Sequence, residues 1–427
     1  MRILLISSNR HDRFASLPIR PMPLGLAILL GVLRGTRHQV HALDLMFAGS
    51  ARRAIRKAIR ESSPDLIGIS VRNLDAMRGH SARSFLPDIR RYVDICRGET
   101  GAPVVLGGPA VSLLPREAFA ALEPDFILAG DATRTLPELA NRIEGGKPIG
   151  DLPGLVCRSG GDIRVNPPGP WESPKLSPCY DAFDLSRYEA EGYGIAVLTK
   201  TWPYIRVGGT VPVSAMPSPV LRPIPHILDD LRRLEFHYGI RRVFLADSGF
   251  NVPVPEAKLL CQAIRDARLN LTWATGLQPG HMDAELADLM RETSCRMALL
   301  AGPGPLQEPI GDFEHHLNEF ETTGRLLRVA GVPLVTTTVF GRPGETWDTV
   351  DQTLGVLSRI RPAHVQLCVG IRLLPFTPLA ERAKAEGVIQ DHGDCLNPVV
   401  YVASELRDWL PGHLKGAARG HSSWHVA

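Results

Sequence analysis

Asp65-Leu66-Ile67-Gly68-Ile69-Ser70-Val71-Arg72-Asn73-Leu74-Asp75 passes from an apolar, β-branched run straight into polar residues, and its reading decides the fold. The run is one strand of a series. Between residue 1 and about 150, similar runs at Ile3 to Ser7, Gln39 to Leu43, Val104 to Leu106 and Phe126 to Leu128 alternate with helical stretches such as Gly25 to Leu33, Arg52 to Glu61 and Leu136 to Ile143. Such alternation predicts parallel strands joined by crossover helices, a doubly wound α/β sheet.

Ligands of such a sheet sit beyond the carboxyl ends of its strands. There the sequence places Ser7-Ser8-Asn9, Arg72-Asn73-Leu74-Asp75, Gly107-Gly108-Pro109-Ala110 and Gly130-Asp131. Glycines let a large ligand approach the backbone, and the polar groups can hold its amides. Pattern alone is equally compatible with ordinary turns between strand and helix. No Gly-x-Gly-x-x-Gly opens the first helix, which argues against a dinucleotide.

The whole chain bounds the answer further. Its 427 residues give room for about two to three domains of roughly 150 residues. With 44% hydrophobic and 22% charged residues and a net charge of +3, it carries neither a nucleic-acid nor a membrane-surface footprint. A soluble enzyme fits this balance. The start, Met1 to Ser7, reads as a strand rather than a signal peptide, and no apolar run nears the ~18–20 residues that span a bilayer. Seven scattered cysteines with no Cys-x-x-Cys point to a reducing, cytoplasmic home and offer no local zinc or iron-sulfur motif.

Residues 1–149 thus form one domain. Residues 150–193, with Asn166-Pro167-Pro168-Gly169-Pro170-Trp171, read as a stiff linker. Alternation resumes from 194 to 385, with strands at Ile195 to Thr199, Val243 to Ala246, Thr272 to Thr275, Met297 to Ala301, Leu334 to Phe340 and His364 to Gly370. Six to seven strand-helix units predict a partial or full α/β barrel, with its chemistry at the strands' carboxyl ends. Residues 386–427 are a C-terminal extension whose tail, His421-Ser422-Ser423-Trp424-His425, reads as a flexible end. His315 and His316 are adjacent on a predicted helix and should face apart, so no metal site is expected there.

At three segments the first domain resembles the cobalamin-binding domain of the B12-binding radical SAM proteins: Asp65 to Asp75, Val105-Leu106-Gly107-Gly108-Pro109-Ala110-Val111-Ser112, and Ile127-Leu128-Ala129-Gly130-Asp131. The resemblance covers the first third in order and spacing. It implies a corrin surrounded by Ser8, Arg72, Asn73, Leu74, Asp75, Gly107, Gly108, Pro109, Ser112, Gly130 and Asp131. No Asp-x-His-x-x-Gly occurs in this domain, so the resemblance implies base-off cobalamin without a protein histidine on its lower face. Thr133 stands where the family often has a second acid. Later segments resemble the family's barrel: Phe244 to Asn251, Phe340-Gly341-Arg342-Pro343-Gly344-Glu345-Thr346, and Gly370 to Leu379.

The family's Cys-x-x-x-Cys-x-x-Cys loop should follow the first barrel strand. Here Lys200-Thr201-Trp202-Pro203-Tyr204-Ile205-Arg206-Val207-Gly208-Gly209 stands in its place. Aligned on Pro203-Tyr204, the cysteine positions hold Trp202, Arg206 and Gly209, and none offers the thiolate that an iron-sulfur cluster needs. Ala301-Gly302-Pro303-Gly304-Pro305 replaces a Gly-x-x-Ser segment, which disfavours S-adenosylmethionine in the family's usual pose. The expectation is a cobalamin-dependent enzyme with no iron-sulfur cluster, carrying out polar methyl transfer or a redox-neutral rearrangement such as a cyclisation in natural-product biosynthesis. The alternative is a non-catalytic binding partner of a true radical enzyme, with a second biosynthetic enzyme as its partner. Trp202, Arg206, His281 and Glu345 are the candidate catalytic residues; Tyr204, Asp247, Asn251, Gln278 and Arg372 are candidates for holding substrate.

Overall fold

The computed structural model describes residues 1–13, 17, 19–78, 81–170, 177–201, 205–206, 209–210, 218–247 and 249–427. Two seven-stranded sheets organise them. The first runs in the order Gln39–Asp44, Arg2–Ser7, Leu66–Ser70, Val104–Gly107, Phe126–Leu128, Leu155–Ser159 and Asp162–Val165. Its first five strands are parallel and its last two antiparallel. Ile3 to Ile6 and Leu66 to Ile69 are buried throughout, as expected of central parallel strands covered by helices on both faces. The strand that opened the sequence reading therefore sits mid-sheet, between Arg2–Ser7 and Val104–Gly107.

The second sheet is wholly parallel, ordered Ala196–Leu198, Arg242–Ala246, Thr272–Leu277, Cys295–Ala301, Leu334–Phe340, His364–Val369 and Trp424–Val426. Helices follow its strands in the α/β manner, and its two end strands do not pair, so the barrel is partial.

Two boundaries differ from the sequence reading. Residues 150–193 are not simply a linker, because Leu155–Ser159 and Asp162–Val165 form a hairpin that extends the first sheet, turning at Gly160 and Gly161 with φ of 59° and 96°. The C-terminal tail is not a loose end either. Trp424 is buried and Trp424–Val426 pairs in parallel with His364–Val369, because the apolar edge of that strand offers a ladder that the tail can complete. Among the described residues no helix is long and apolar enough to cross a membrane.

Candidate functional site

A cavity of about 680 Å³ lies where the strand ends of the first sheet face those of the barrel. The first domain contributes Ser7, Ser70, Gly107 and Gly130; the barrel contributes Ala196, Lys200, Phe244, Asp247 and Leu299. Most of its wall is apolar, including the Pro21-Met22-Pro23-Leu24 segment that leads into the first helix.

Glycine shapes the first-domain side. Gly108 adopts φ +106°, and a Cβ there would lie 2.5 Å from the Val71 carbonyl oxygen, so only glycine lets the loop pass. Ser112 ties that loop down: its hydroxyl donates to the Gly108 carbonyl at 2.9 Å and accepts from the Gly130 amide at 3.0 Å. Asp131 caps the helix Ala132–Glu144 by accepting from the Thr133 amide, and the start of that helix opens on the cavity. Backbone amides at such a terminus favour a ligand's anionic or carbonyl oxygens.

At the lip, Arg72 lies 3.4 Å from Asp12 and Asn73 donates to the same carboxylate at 3.2 Å. Burial pushes the Asp12 carboxyl above the ordinary range, against the pull of Arg72 and Asn73.

Lys200 and Asp247 supply the charge on the barrel side. The Lys200 ammonium, almost fully buried, sits 3.1 Å from Asp247 and donates to the carbonyls of Phe250 at 2.9 Å and Val252 at 2.8 Å. Asp247 also accepts from Thr199 at 2.8 Å and from the Gly249 amide at 3.0 Å. Burial lowers the lysine's pKa, yet three carbonyl acceptors and a carboxylate require a full set of N–H donors, so the geometry favours the ammonium.

Of the sequence candidates, Arg72, Gly107, Gly108, Pro109, Ser112, Gly130, Asp131 and Asp247 line the cavity. Ser8, Asn73, Leu74 and Asp75 do not: Ser8 donates to the Ser70 carbonyl, Leu74 is buried, and Asp75 pairs with Arg372. Asn251 and Glu345 hold their own loops. The Asn251 amide bridges the carbonyls of Gln278 and His281 at 2.7 Å each, and Glu345 accepts from the Gly341 amide and pairs with Arg342 at 2.9 Å. Glu345, Asn251, Gln278, His281 and Arg372 are absent from the cavity wall, and His281 is exposed. Trp202 and Tyr204 lie outside the described residues. Arg206 pairs with Gly209 through the backbone, and the Ile205–Arg206 segment approaches the first domain's short helix Pro109–Leu113. Ser7 and Asn9, from the strand end Ser7-Ser8-Asn9, also line the cavity; the sequence reading gives Lys200 no role, and the Pro21 to Leu24 segment escapes it, although each directly follows or precedes an apolar run.

All seven cysteines are free, on separate elements, and none lines the cavity. Burial pushes the Cys368 thiol up to about 11 and those of Cys96 and Cys261 up to about 12, so thiolates are disfavoured there.

Residues 11–140 match the B12 binding domain model. The radical S-adenosylmethionine methyltransferase TsrM from Kitasatospora setae, solved with tryptophan substrate and a SAM analogue, superposes with a TM-score of 0.80 at 21% identity, over 100% of this chain and 91% of that one. The chain has the fold of the cobalamin-dependent radical SAM enzymes. OxsB, solved with aqua-cobalamin and S-adenosylmethionine, superposes with a TM-score of 0.73 at 13% identity, over 98% of this chain and 66% of that one. Among curated proteins, the tryptophan 2-C-methyltransferase of Streptomyces laurentii is 24% identical over 84% of this chain and 71% of its own length. An uncharacterized methyltransferase of Pyrococcus horikoshii is 22% identical over 86% of this chain and 79% of its own.

Proposed function

We propose that this chain is a cobalamin-dependent methyltransferase acting on a small molecule by polar chemistry, without an iron-sulfur cluster. The observation that carries the reading is the cavity itself, in which the glycine-lined loops of a B12-binding domain face a barrel mouth floored by Lys200 and Asp247. The residues fit a corrin. Gly107, Gly108 and Gly130 leave the wall open to a flat, bulky ring, Ser112 and the start of the helix Ala132–Glu144 offer polar contacts to its amides, and among the described residues no histidine lines the cavity to ligate cobalt, which supports a base-off state.

When bound, cobalamin would supply a carrier for a methyl group transferred as a cation equivalent. The chain's own residues do the rest. The apolar wall excludes water and would hold an unsaturated or aromatic substrate, for which the tryptophan methyltransferases set the precedent. Asp247, paired with Lys200 at 3.1 Å, would orient a substrate N–H or O–H, and the fixed ammonium keeps that side chain aimed from one turnover to the next.

Absence of the cluster is supported by the replacement of its cysteine positions with Trp202, Arg206 and Gly209, and by the lack, among the described residues, of any group of three cysteines close enough to share a metal. The test is reconstitution of the full-length chain with hydroxocobalamin under reducing, anaerobic conditions, with S-adenosylmethionine and a panel of indoles and other aromatic acceptors including tryptophan. The expected result is about one cobalamin per chain, no iron or sulfide, and S-adenosylhomocysteine formed with a methylated acceptor. Formation of 5′-deoxyadenosine would overturn the polar reading, and stoichiometric iron and sulfide would overturn the cluster-free one. Cobalamin uptake without turnover on any acceptor would favour the non-catalytic partner.

A further inference from the structure

Away from the cavity, among the described residues, His315, His316 and Glu319 bring three metal-ligating side chains together in the first turns of the helix Phe313–Ala330. His315 Nε2 lies 3.3 Å from one oxygen of Glu319 and His316 Nδ1 lies 3.6 Å from the other. All three donor atoms fall within 4.8 Å of one another. We infer that this trio is a binding site for a divalent transition-metal ion of the zinc type, held by two imidazoles and a carboxylate, with water completing the coordination.

Adjacent helical residues project about 100° apart, so two neighbouring histidines ordinarily serve different faces. Here both rings turn in from either side onto one carboxylate. A helix-stabilising ion pair needs one such contact, whereas a chelate needs both. The separations also suit a metal. Bonds of about 2.0–2.2 Å to nitrogen and oxygen place tetrahedral donor atoms roughly 3.3–3.6 Å apart. The remaining gap closes by rotating His315, the most exposed of the three at 58%.

The surrounding backbone is shaped to admit these side chains. Gly280 adopts φ +81°, and a Cβ there would fall 2.2 Å from Glu319 Oε1. Gly304 adopts φ +77°, and a Cβ there would come within 3.2 Å of the His316 ring. These glycines lie in the loops after the barrel strands Thr272–Leu277 and Cys295–Ala301, so the site lies on the rim of the barrel mouth. The Gly280 amide donates to Thr323 at 3.1 Å, one turn along the same helix, which fixes that loop against the ligands. Arg342 is the nearby cation, and its ion pair with Glu345 offsets its charge. Two imidazoles and one carboxylate, with positions left open, form a donor set that zinc accepts readily.

The test is isothermal titration of the chelator-stripped, full-length chain with zinc sulfate near neutral pH, for the natural sequence and for H315A and E319Q. The expected result is one saturable equivalent of zinc, bound at least about tenfold more weakly by either variant, since even losing an outer partner of a ligand commonly weakens metal binding by ~10–100-fold. The His315 ring is exposed, so H315A should fold as the natural chain does, and it alone decides the matter should E319Q fail to fold. No zinc uptake by the natural chain, or equal affinity in H315A, would overturn the proposal.

Discussion

Arg372, in the segment that leaves the last long barrel strand, donates Nε and Nη2 to one oxygen of Asp75, at 2.9 and 2.8 Å, across 297 residues of sequence. Asp75 begins a hairpin beyond the third strand of the first domain, so this pair clamps the two domains beside the cavity they share. Nη2 also donates to the Cys395 carbonyl at 2.9 Å, drawing the C-terminal region into the clamp. A pair this sheltered should be worth more than the ~0–1 kcal/mol of a surface bridge and less than the ~3–5 kcal/mol lost on breaking a fully buried one. D75A and R372A should each cost on the order of 2 kcal/mol, and the double variant little more than either. Melting temperatures of the four proteins check this; additive losses would show that the two residues act independently.

Lys200 should prove a keystone of the barrel mouth. K200M keeps the methylene stem but removes the donor shared by the carbonyls of Gly249, Phe250 and Val252, and it strips a counter-charge from buried Asp247. Losing one partner of a buried pair typically costs about 3–5 kcal/mol. Amide exchange across residues 249–252 should accelerate in K200M. K200M/D247N should recover part of the lost stability, because it removes the stranded charge. Unchanged exchange in K200M would show that the ammonium does not hold this loop.

Asp44 gives a pH signature. Tyr188 donates to its Oδ2 and the Met46 amide to its Oδ1 at 3.0 Å, but burial outweighs both and raises its pKa above the ordinary carboxylate range. The folded chain therefore holds this proton more tightly than the unfolded one. Stability from that proton is fully present below the unfolded value, near pH 4, and is lost as pH rises through the raised folded value. D44N, which cannot ionise, should gain on the natural chain as pH rises from about 4 to 7. Melting curves of both proteins at several pH values check this, and a constant difference would count against it.

Much of this architecture was legible because parallel strands write themselves as apolar runs. Leu66 to Ile69 and Val104 to Leu106 are buried, and Gly107 and Gly108 at the end of the second run mark where the chain must pass a ligand or its own backbone. The hairpin Leu155–Ser159 with Asp162–Val165 was hidden by proline and glycine around it, which read as a linker until the edge strand Phe126–Leu128 supplies a partner. Trp424 had the same problem: a three-residue strand has no periodicity of its own and is defined only by the edge it covers. Lys200 was visible as a residue but not as a role. A lysine after a strand ordinarily reaches solvent, and only the fold of residues 249–252 over it supplies acceptors enough to bury the charge. Helical spacing kept His315 and His316 apart on paper, because it describes where Cβ atoms point and not where long rings can turn.

Gly107 separates binding from folding at the cavity. A Cβ there would meet only the Leu128 carbonyl oxygen, at 3.7 Å, an ordinary contact, and valine suits a strand position. G107V should therefore fold with nearly normal stability while narrowing the space offered to a corrin. G108A is the contrasting control: with φ at +106° and a Cβ 2.5 Å from the Val71 oxygen, it should damage the fold itself. Spectrophotometric titration with hydroxocobalamin should show G107V binding at least roughly tenfold more weakly than the natural chain, a loss of about 1.4 kcal/mol. Its melting temperature without cofactor should stay close to that of the natural chain. Because the two readouts are independent, equal cobalamin affinity in a folded G107V would place the corrin somewhere other than this cavity.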